Sequence, residues 1–206
     1  NIPIFIFYVL KRTVICAKLR ESNQTGGHNM NKDDEFYMSL AIEEAENAAK
    51  LGEVPVGAVI VWDDGRIVGK GFNRRETGKN ALLHAELSAI NEACSTLHGW
   101  RLHRATLYVT LEPCPMCAGA VINSRIKRVV YGAADPKAGA LGSVMQICGF
   151  GLNHSFEQVG GVMNERCSGL ISDFFADLRK KREDKKSKNS GDDGIFLPTT
   201  VDNDRK

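Results

Sequence analysis

Apolar residues recur along this chain with two periods, and the alternation between them sets the order of its elements. Over residues 33–51 the spacing of Phe36, Leu40, Ala41, Ala45 and Ala48 predicts an amphipathic helix. Two β-rich runs follow at 55–62 and 67–72, on either side of Asp63-Asp64-Gly65, a hairpin signal. A second helix opens at His84 and runs to about Thr96, with Leu83, Leu87 and Ile90 as its apolar face and Ala85, Ala89 and Ala93 filling in. Runs at 105–109 and 128–131 read as strands, with a helix between them that begins after Pro113 and continues through the small, apolar 118–122. A short strand is expected at 156–159. The last helix, 165–181, carries Leu170, Ile171, Phe174, Phe175 and Leu178 as its expected core face. This order predicts an α/β domain of three layers, α/β/α, with helices on both faces of a central mixed sheet and any site at the strand ends. There is no internal repeat, coiled coil or phosphate-binding loop.

The two ends differ from this middle. Residues 2–10 are apolar but too short to span a bilayer, and Lys11-Arg12 follows them rather than preceding them, the wrong order for a signal peptide. Export and membrane insertion are therefore not expected. Residues 1–29 are expected to be a translated upstream extension without a fold of its own, because Gly26-Gly27 can be encoded by a ribosome-binding sequence just ahead of Met30. The middle expected to fold as one domain then spans 30–183. Residues 184–206 are basic and then polar, rich in Gly and Asp without period, and are expected to be disordered.

Composition narrows the function without choosing it. An apolar share of 43% in 206 residues suffices for one domain with a core. A net charge of +2 is too small for a generic nucleic-acid binder, so any affinity for RNA must be local. One local patch exists, Arg179-Lys180-Lys181-Arg182 followed by Lys185-Lys186-Ser187-Lys188, with Glu183 and Asp184 between. Taken alone it reads as a solvated helix end whose cations suit the helix dipole. The six cysteines lack the spacing of a disulfide framework, which fits a reducing, cytoplasmic setting.

The chemistry is concentrated in His84-Ala85-Glu86 and Pro113-Cys114-Pro115-Met116-Cys117. His84, Cys114 and Cys117 offer three ligands of the kind zinc takes, and three is the number a hydrolytic zinc keeps when its fourth position is left to water. Cys114 and Cys117 lie three apart, so on a helix that starts after Pro113 both thiols share one face of the first turn. Pro115 suits that first turn, and the helix N-terminus favours thiolate. Glu86 is two residues from His84, so the side chains diverge and Glu86 is better placed as a proton carrier than as a fourth ligand. Cys148 or Cys167 as a fourth ligand would instead make the zinc structural. His98, His103 and His154 lack ligand spacing and read as surface or capping residues. Asn73, just after a strand, reads by itself as a turn residue bonding nearby backbone. Phe72 and Tyr108 read as core, and of Phe174 and Phe175 one should pack inward.

His-x-Glu with Pro-Cys-x-x-Cys is the known signature of zinc-dependent base deaminases, and the step from signature to deamination comes from that resemblance, not from spacing. The likeness extends from Asp33 to Glu183. It is carried in order by 53–59 (EVPVGAV), 71–74 (GFNR), 84–86 (HAE), 106–120 (TLYVTLEPCPMCAGA), 124–126 (SRI), 131–133 (YGA), 135–137 (DPK), 142–143, 153–154 and 172–175 (SDFF). Over this span the chain resembles the bacterial tRNA-specific adenosine deaminases of the TadA type, within the cytidine-deaminase-like superfamily. Asn80-Ala81-Leu82-Leu83 is more apolar than in some members. The resemblance implies one Zn2+ per subunit on His84, Cys114 and Cys117, proton shuttling by Glu86, contact of Asn73 with the substrate base, and Asp135 near the RNA strand. It implies a homodimer acting on a tRNA anticodon stem-loop, with adenosine converted to inosine at the wobble position. Beside such a site, Arg179 and Lys180 are better read as facing RNA. Two rivals use the same residues. A guanine- or cytosine-deaminase-like enzyme would not need the basic helix and would keep its activity if cut at about Phe175. A non-catalytic zinc RNA-binding module would have no use for Glu86.

Overall fold

The computed structural model describes residues 32–189, with side chains from 33 to 184. The expectations for 1–29 and for 190–206 lie outside the described residues. Helix α1 (Lys32–Lys50) leads into strands β1 (Gly57–Val61) and β2 (Ile67–Phe72), then α2 (Ala85–Thr96), β3 (Thr106–Leu111), α3 (Pro115–Ser124) and β4 (Arg128–Ala133). A 3-10 turn (Ile147–Phe150), β5 (Glu157–Gly160) and α4 (Asn164–Asn189) complete the order. Among the described residues no helix is long and apolar enough to cross a membrane.

The five strands form one mixed sheet in the order β2-β1-β3-β4-β5. β1 pairs antiparallel with β2 and β3, while β3, β4 and β5 run parallel. The hairpin forms where Asp63-Asp64-Gly65 placed it: Gly65 adopts φ +85 and its amide donates to the Trp62 carbonyl at 2.9 Å. Because side chains alternate across a strand, the same strands supply two cores. Ala58, Ile60, Leu107, Val109 and Val129 point to one face, where they meet Ala85, Ala89 and Ala93 of α2 and Ala118, Val121 and Ile122 of α3. Val59, Val61, Tyr108 and Val130 point to the other, against Met38, Ala41 and Ile42 of α1 and Cys167 of α4. This is the expected three-layer α/β/α arrangement.

Four expectations are corrected. The buried stripe of α1 is Asp34, Met38, Ala41, Ile42, Ala45 and Ala48, and Phe36 stands 58% exposed. The reason is a polar anchor: Asp34, buried at the helix start, accepts two bonds from the Arg128 guanidinium (2.7 and 2.9 Å) and one from the Tyr108 hydroxyl (2.9 Å), which fixes the rotation of α1. On α2 the buried face is Ala85, Glu86, Ala89 and Ala93, with Leu83, Leu87 and Ile90 only half-buried. Small residues win because α2 lies directly on β2: a Cβ at Gly71 would overlap Ala85 O, Ala89 N and Ser88 Cβ. Lastly, Leu170, Ile171, Phe174 and Leu178 of α4 are half-buried and Phe175 is exposed, so within one chain the face expected as core is largely uncovered. α4 also continues past Lys181 to Asn189, so residues 184–189, expected to be disordered, are helical. Residues 181–188 are mostly Lys, Arg and Glu, straight-chain residues with good helix propensity, so charge alone did not end the helix.

Candidate active site

β2, β3 and β4 run in the same direction, and the segments leaving their C-terminal ends converge on one edge of the sheet. The loop from β2 delivers His84 as N-cap of α2, and the segment from β3 delivers Cys114 as N-cap of α3, with Pro115 at the first helical position. Both caps have extended backbone (ψ 155 and 170), and neither side chain makes a capping hydrogen bond. An N-cap side chain ordinarily turns back onto its own helix. Here both turn toward each other. His84 Nδ1 lies 3.5 Å from Cys117 Sγ and 3.8 Å from Cys114 Sγ. The three ligand atoms are within 4.8 Å of one another, a group able to hold a metal ion.

The electrostatics of this group are those of an anionic thiol pair. The Cys114 thiol is pulled down to about 4, first by the Cys117 S–H donated to it and then by His84 and the Cys117 amide. The Cys117 thiol is pushed up by the Cys114 sulfur beside it and by burial. The His84 imidazole is raised, chiefly by its hydrogen bond with Cys114. A soft N/S donor set sharing negative charge in a half-buried niche fits zinc, and with three donors it leaves a coordination position open. The alternative fourth ligands are not there: Cys167 is buried on the opposite face of the sheet, and neither it nor Cys148 joins the group among the described residues.

Glu86 occupies the first turn of α2, 4% exposed and outside the ligand group. Burial raises its carboxyl, while its own backbone amide, His84 and the neighbouring Cys117 thiol offset part of that rise. It therefore sits against the niche without being one of the three donors. Asn73 is close by in the fold, since the next residue's amide, Arg74 N, donates to Leu83 O at 3.0 Å, one residue before His84. Its Nδ2 donates to Val54 O (3.2 Å) and Glu53 Oε2 (3.5 Å), so its bonds are partly those of a turn residue. Asp135 lies on the loop after β4, which is tied to the cysteine segment by Ala140 N donating to Pro113 O at 2.9 Å. Its Oδ1 accepts from Lys137 N and Ala138 N at 2.9 and 3.2 Å. Arg179 and Lys180 are not brought to this group: α4 contacts β3, β4 and α1 but not α2 or α3. The remaining histidines behave as surface or capping residues. His154, for instance, bonds the Ile126 carbonyl at 2.8 Å.

Two residues at this edge carry no role in the sequence analysis. Glu53 and Glu112 are 1% and 2% exposed, and each holds a loop beside the ligand group through backbone amides. The sequence does carry a trace of both, a lone carboxylate at the border of an otherwise apolar run, before Val54-Pro55-Val56 and after Leu107–Leu111. Such residues are rarely buried without partners. Beside the same edge, Leu82, Leu83 and Leu87 line a groove of about 520 Å³ together with Phe72, Arg74 and Asn91.

Comparison with known proteins agrees with this geometry. The family model of the cytidine and deoxycytidylate deaminase zinc-binding region matches residues 31–133. The chain is 52% identical over 151 residues to the tRNA-specific adenosine deaminase of Bacillus subtilis, covering 73% of this chain and 93% of that protein. It is 46% identical to the enzyme of that description from Haemophilus influenzae, over 74% of this chain and 87% of that protein. Among solved structures it is similar to a protein from work on A-to-I editing by tRNA:A34 deaminases at the wobble position of transfer RNA, with 40% identity and a TM-score of 0.62, over 66% of this chain and 98% of that one.

Proposed function

Because the chain belongs to the cytidine and deoxycytidylate deaminase zinc-binding family, and within it to the tRNA-specific adenosine deaminases, we propose that it converts adenosine to inosine at the wobble position of a tRNA by hydrolysis. The observation that carries this reading is the convergence of His84, Cys114 and Cys117 with a buried carboxylate, Glu86, against them. His84, Cys114 and Cys117 would hold zinc. When bound, zinc supplies a water acidic enough to act as a nucleophile near neutral pH.

The chain's own residues do the rest. Glu86 takes one proton as the water oxygen bonds to C6 of the adenine and gives it to ring N1, then takes the proton of the new C6 hydroxyl and gives it to N6, so that C6=O forms as the C6–N6 bond breaks and ammonia leaves. A carboxyl raised by burial takes up a proton more readily than an exposed one, which suits a group that accepts protons and passes them on. Asn73, held by Glu53 and Val54, is proposed to orient the base. Asp135 and the basic Arg179 and Lys180 are proposed to meet the RNA strand away from the reacting base. An anticodon loop presents its bases unstacked, so the enzyme need not open a duplex to reach C6.

We further read the functional unit as a homodimer acting in the cytoplasm. Leu82, Val144, Met145 and Phe150 are exposed large apolar residues. Gly119 of α3 has nothing within 4 Å of where a Cβ would be, so this chain itself does not require a glycine there. A second copy approaching α3 closely would. The test of the activity is incubation of zinc-loaded protein with an anticodon stem-loop bearing wobble adenosine, scored for inosine, with free adenosine, adenine, guanine and cytosine in parallel. Turnover of a free base with an untouched stem-loop would keep the chemistry and overturn the substrate.

A further inference from the structure

Glu112 directly follows β3, two residues before Cys114, and its carboxylate has no Lys or Arg partner among its hydrogen bonds. It accepts from Leu141 N at 2.8 Å, Asp135 N at 3.1 Å, Ser143 N at 3.1 Å and the Ser143 hydroxyl. Every one of these donors belongs to the loop between β4 and the 3-10 turn. The fit is tight: a Cβ at Gly139 would overlap the carboxylate itself. Across the niche, Glu53 does the same for the loop between β2 and α2. It accepts from Thr77 N at 2.6 Å, Glu76 N at 3.2 Å and Asn73 Nδ2 at 3.5 Å. Both loops are otherwise irregular, and the loop held by Glu53 ends at His84.

A buried carboxylate that accepts several amides makes charge-assisted bonds, roughly twice as strong as neutral ones. A core built for stability alone would more simply use an apolar side chain, because burying a charge is costly unless its partners are fully supplied. Here the partners are supplied only from the two loops that border the metal group. We propose that Glu53 and Glu112 are positioning residues, a pair of buried anionic clamps that hold the loops 73–83 and 134–146 in the geometry that receives the RNA. The proposal rests on the deaminase reading for the identity of the ligand, but the clamping itself does not. Neither residue touches the base. Glu112 acts through Asp135 and its neighbours, Glu53 through Asn73.

The test replaces each by its isostere, Glu112→Gln and Glu53→Gln, which keeps the shape but turns one oxygen into an NH2 group facing N–H donors. Ser143→Ala and Thr77→Val are the milder second variants, each removing only a hydroxyl that bonds a clamp. Tyr108→Phe serves as control, a core change on the other face of the sheet that removes one bond to Asp34. For each protein, zinc content, melting temperature, amide hydrogen exchange, stem-loop affinity and the kcat and KM for inosine formation are measured. The clamp variants are expected to keep zinc, to exchange faster specifically in 134–146 for Glu112→Gln and in 73–83 for Glu53→Gln, and to lose ~10-fold or more in stem-loop affinity and in kcat/KM, mainly through KM. The control should melt lower with kcat/KM unchanged. Clamp variants that behave like the control, or that lose zinc in place of RNA affinity, overturn the proposal. If the wild type makes no inosine the deaminase reading fails, while exchange and affinity still decide the clamps.

Discussion

Gly71 joins the fold to the chemistry, and Gly71→Ala tests that connection. The backbone of α2 rests on β2 so closely that an added Cβ would lie 2.6 Å from Ala89 N, 2.7 Å from Ser88 Cβ and closer still to Ala85 O, where ordinary contacts begin at 3.4 Å. None of these atoms is the end of a flexible side chain that could swing aside. The N-terminal turn of α2 must therefore retreat by about 1 Å or β2 must bend, and overpacking of this kind costs about 1–3 kcal/mol. For a domain of this size that is a fall in Tm of about 3–10 °C. The larger effect is expected in activity. The turn that moves carries His84 at its cap and Glu86 two residues later, while Cys114 and Cys117 on α3 stay in place. A misplacement of about 1 Å between reacting groups can cost ~100-fold in rate. The assay is single-turnover inosine formation by zinc-loaded protein at a temperature where the variant is folded, with zinc content measured in the same preparation. A Gly71→Ala protein with the melting temperature and rate of the wild type would refute the claim that helix and strand backbones in contact set the geometry of the site.

Other outcomes follow from the same structure. Cys117→Ala should lose zinc, read by elemental analysis, whereas Glu86→Gln should keep zinc and fold but lose ~100-fold or more in deamination; loss of zinc from the Glu86 variant would show it to be a ligand. Asp34 is the best-defined source of pH dependence. Burial opposes its ionisation, but the Arg128 and Tyr108 bonds outweigh burial and hold its carboxyl below the usual 3.8. A depressed folded pKa means the stabilisation is full above the unfolded value and is lost as pH falls through the folded one, so urea-denaturation free energies should drop below about pH 4 in the wild type and be flatter in Asp34→Asn. That variant should also be about 1–3 kcal/mol less stable at neutral pH, because the half-buried Arg128 guanidinium keeps Glu157 but loses one of its two carboxylate partners. Gly119→Ala should weaken self-association in sedimentation experiments at micromolar concentration. If it instead raised the Tm by the ordinary helix gain of about 0.5–1 kcal/mol and left the oligomer unchanged, α3 would not be the dimer face.

The order of elements was legible because periodicity and turn signals are local: the hairpin at Asp63-Asp64-Gly65 and the helix starts at His84 and Pro115 need only neighbours in sequence. The three-residue metal group was legible for a related reason, since Cys114 and Cys117 share one helical turn and the choice of His84 follows from the family pattern. What periodicity missed depended on partners distant in sequence. Phe36 has the right spacing for a core position, but Asp34, through Arg128 and Tyr108, rotates α1 so that Phe36 faces outward. Leu87 and Ile90 look like the buried face of α2, yet Gly71 on β2 admits only the alanine side. Glu53 and Glu112 could be noticed as charges inside apolar runs, but their purpose depends on amides 23 to 31 residues away.

On the proposed mechanism, buried Glu86 beside His84, Cys114 and Cys117 drives hydrolytic deamination of a tRNA wobble adenosine. The measurement that meets it most directly is inosine formation in an anticodon stem-loop, comparing zinc-loaded wild type with zinc-loaded Glu86→Gln in the presence of the free bases. Stoichiometric conversion by the wild type, none by the variant and untouched free bases are the predicted result. An inert stem-loop beside a consumed free base, or an active Glu86→Gln protein, would contradict it.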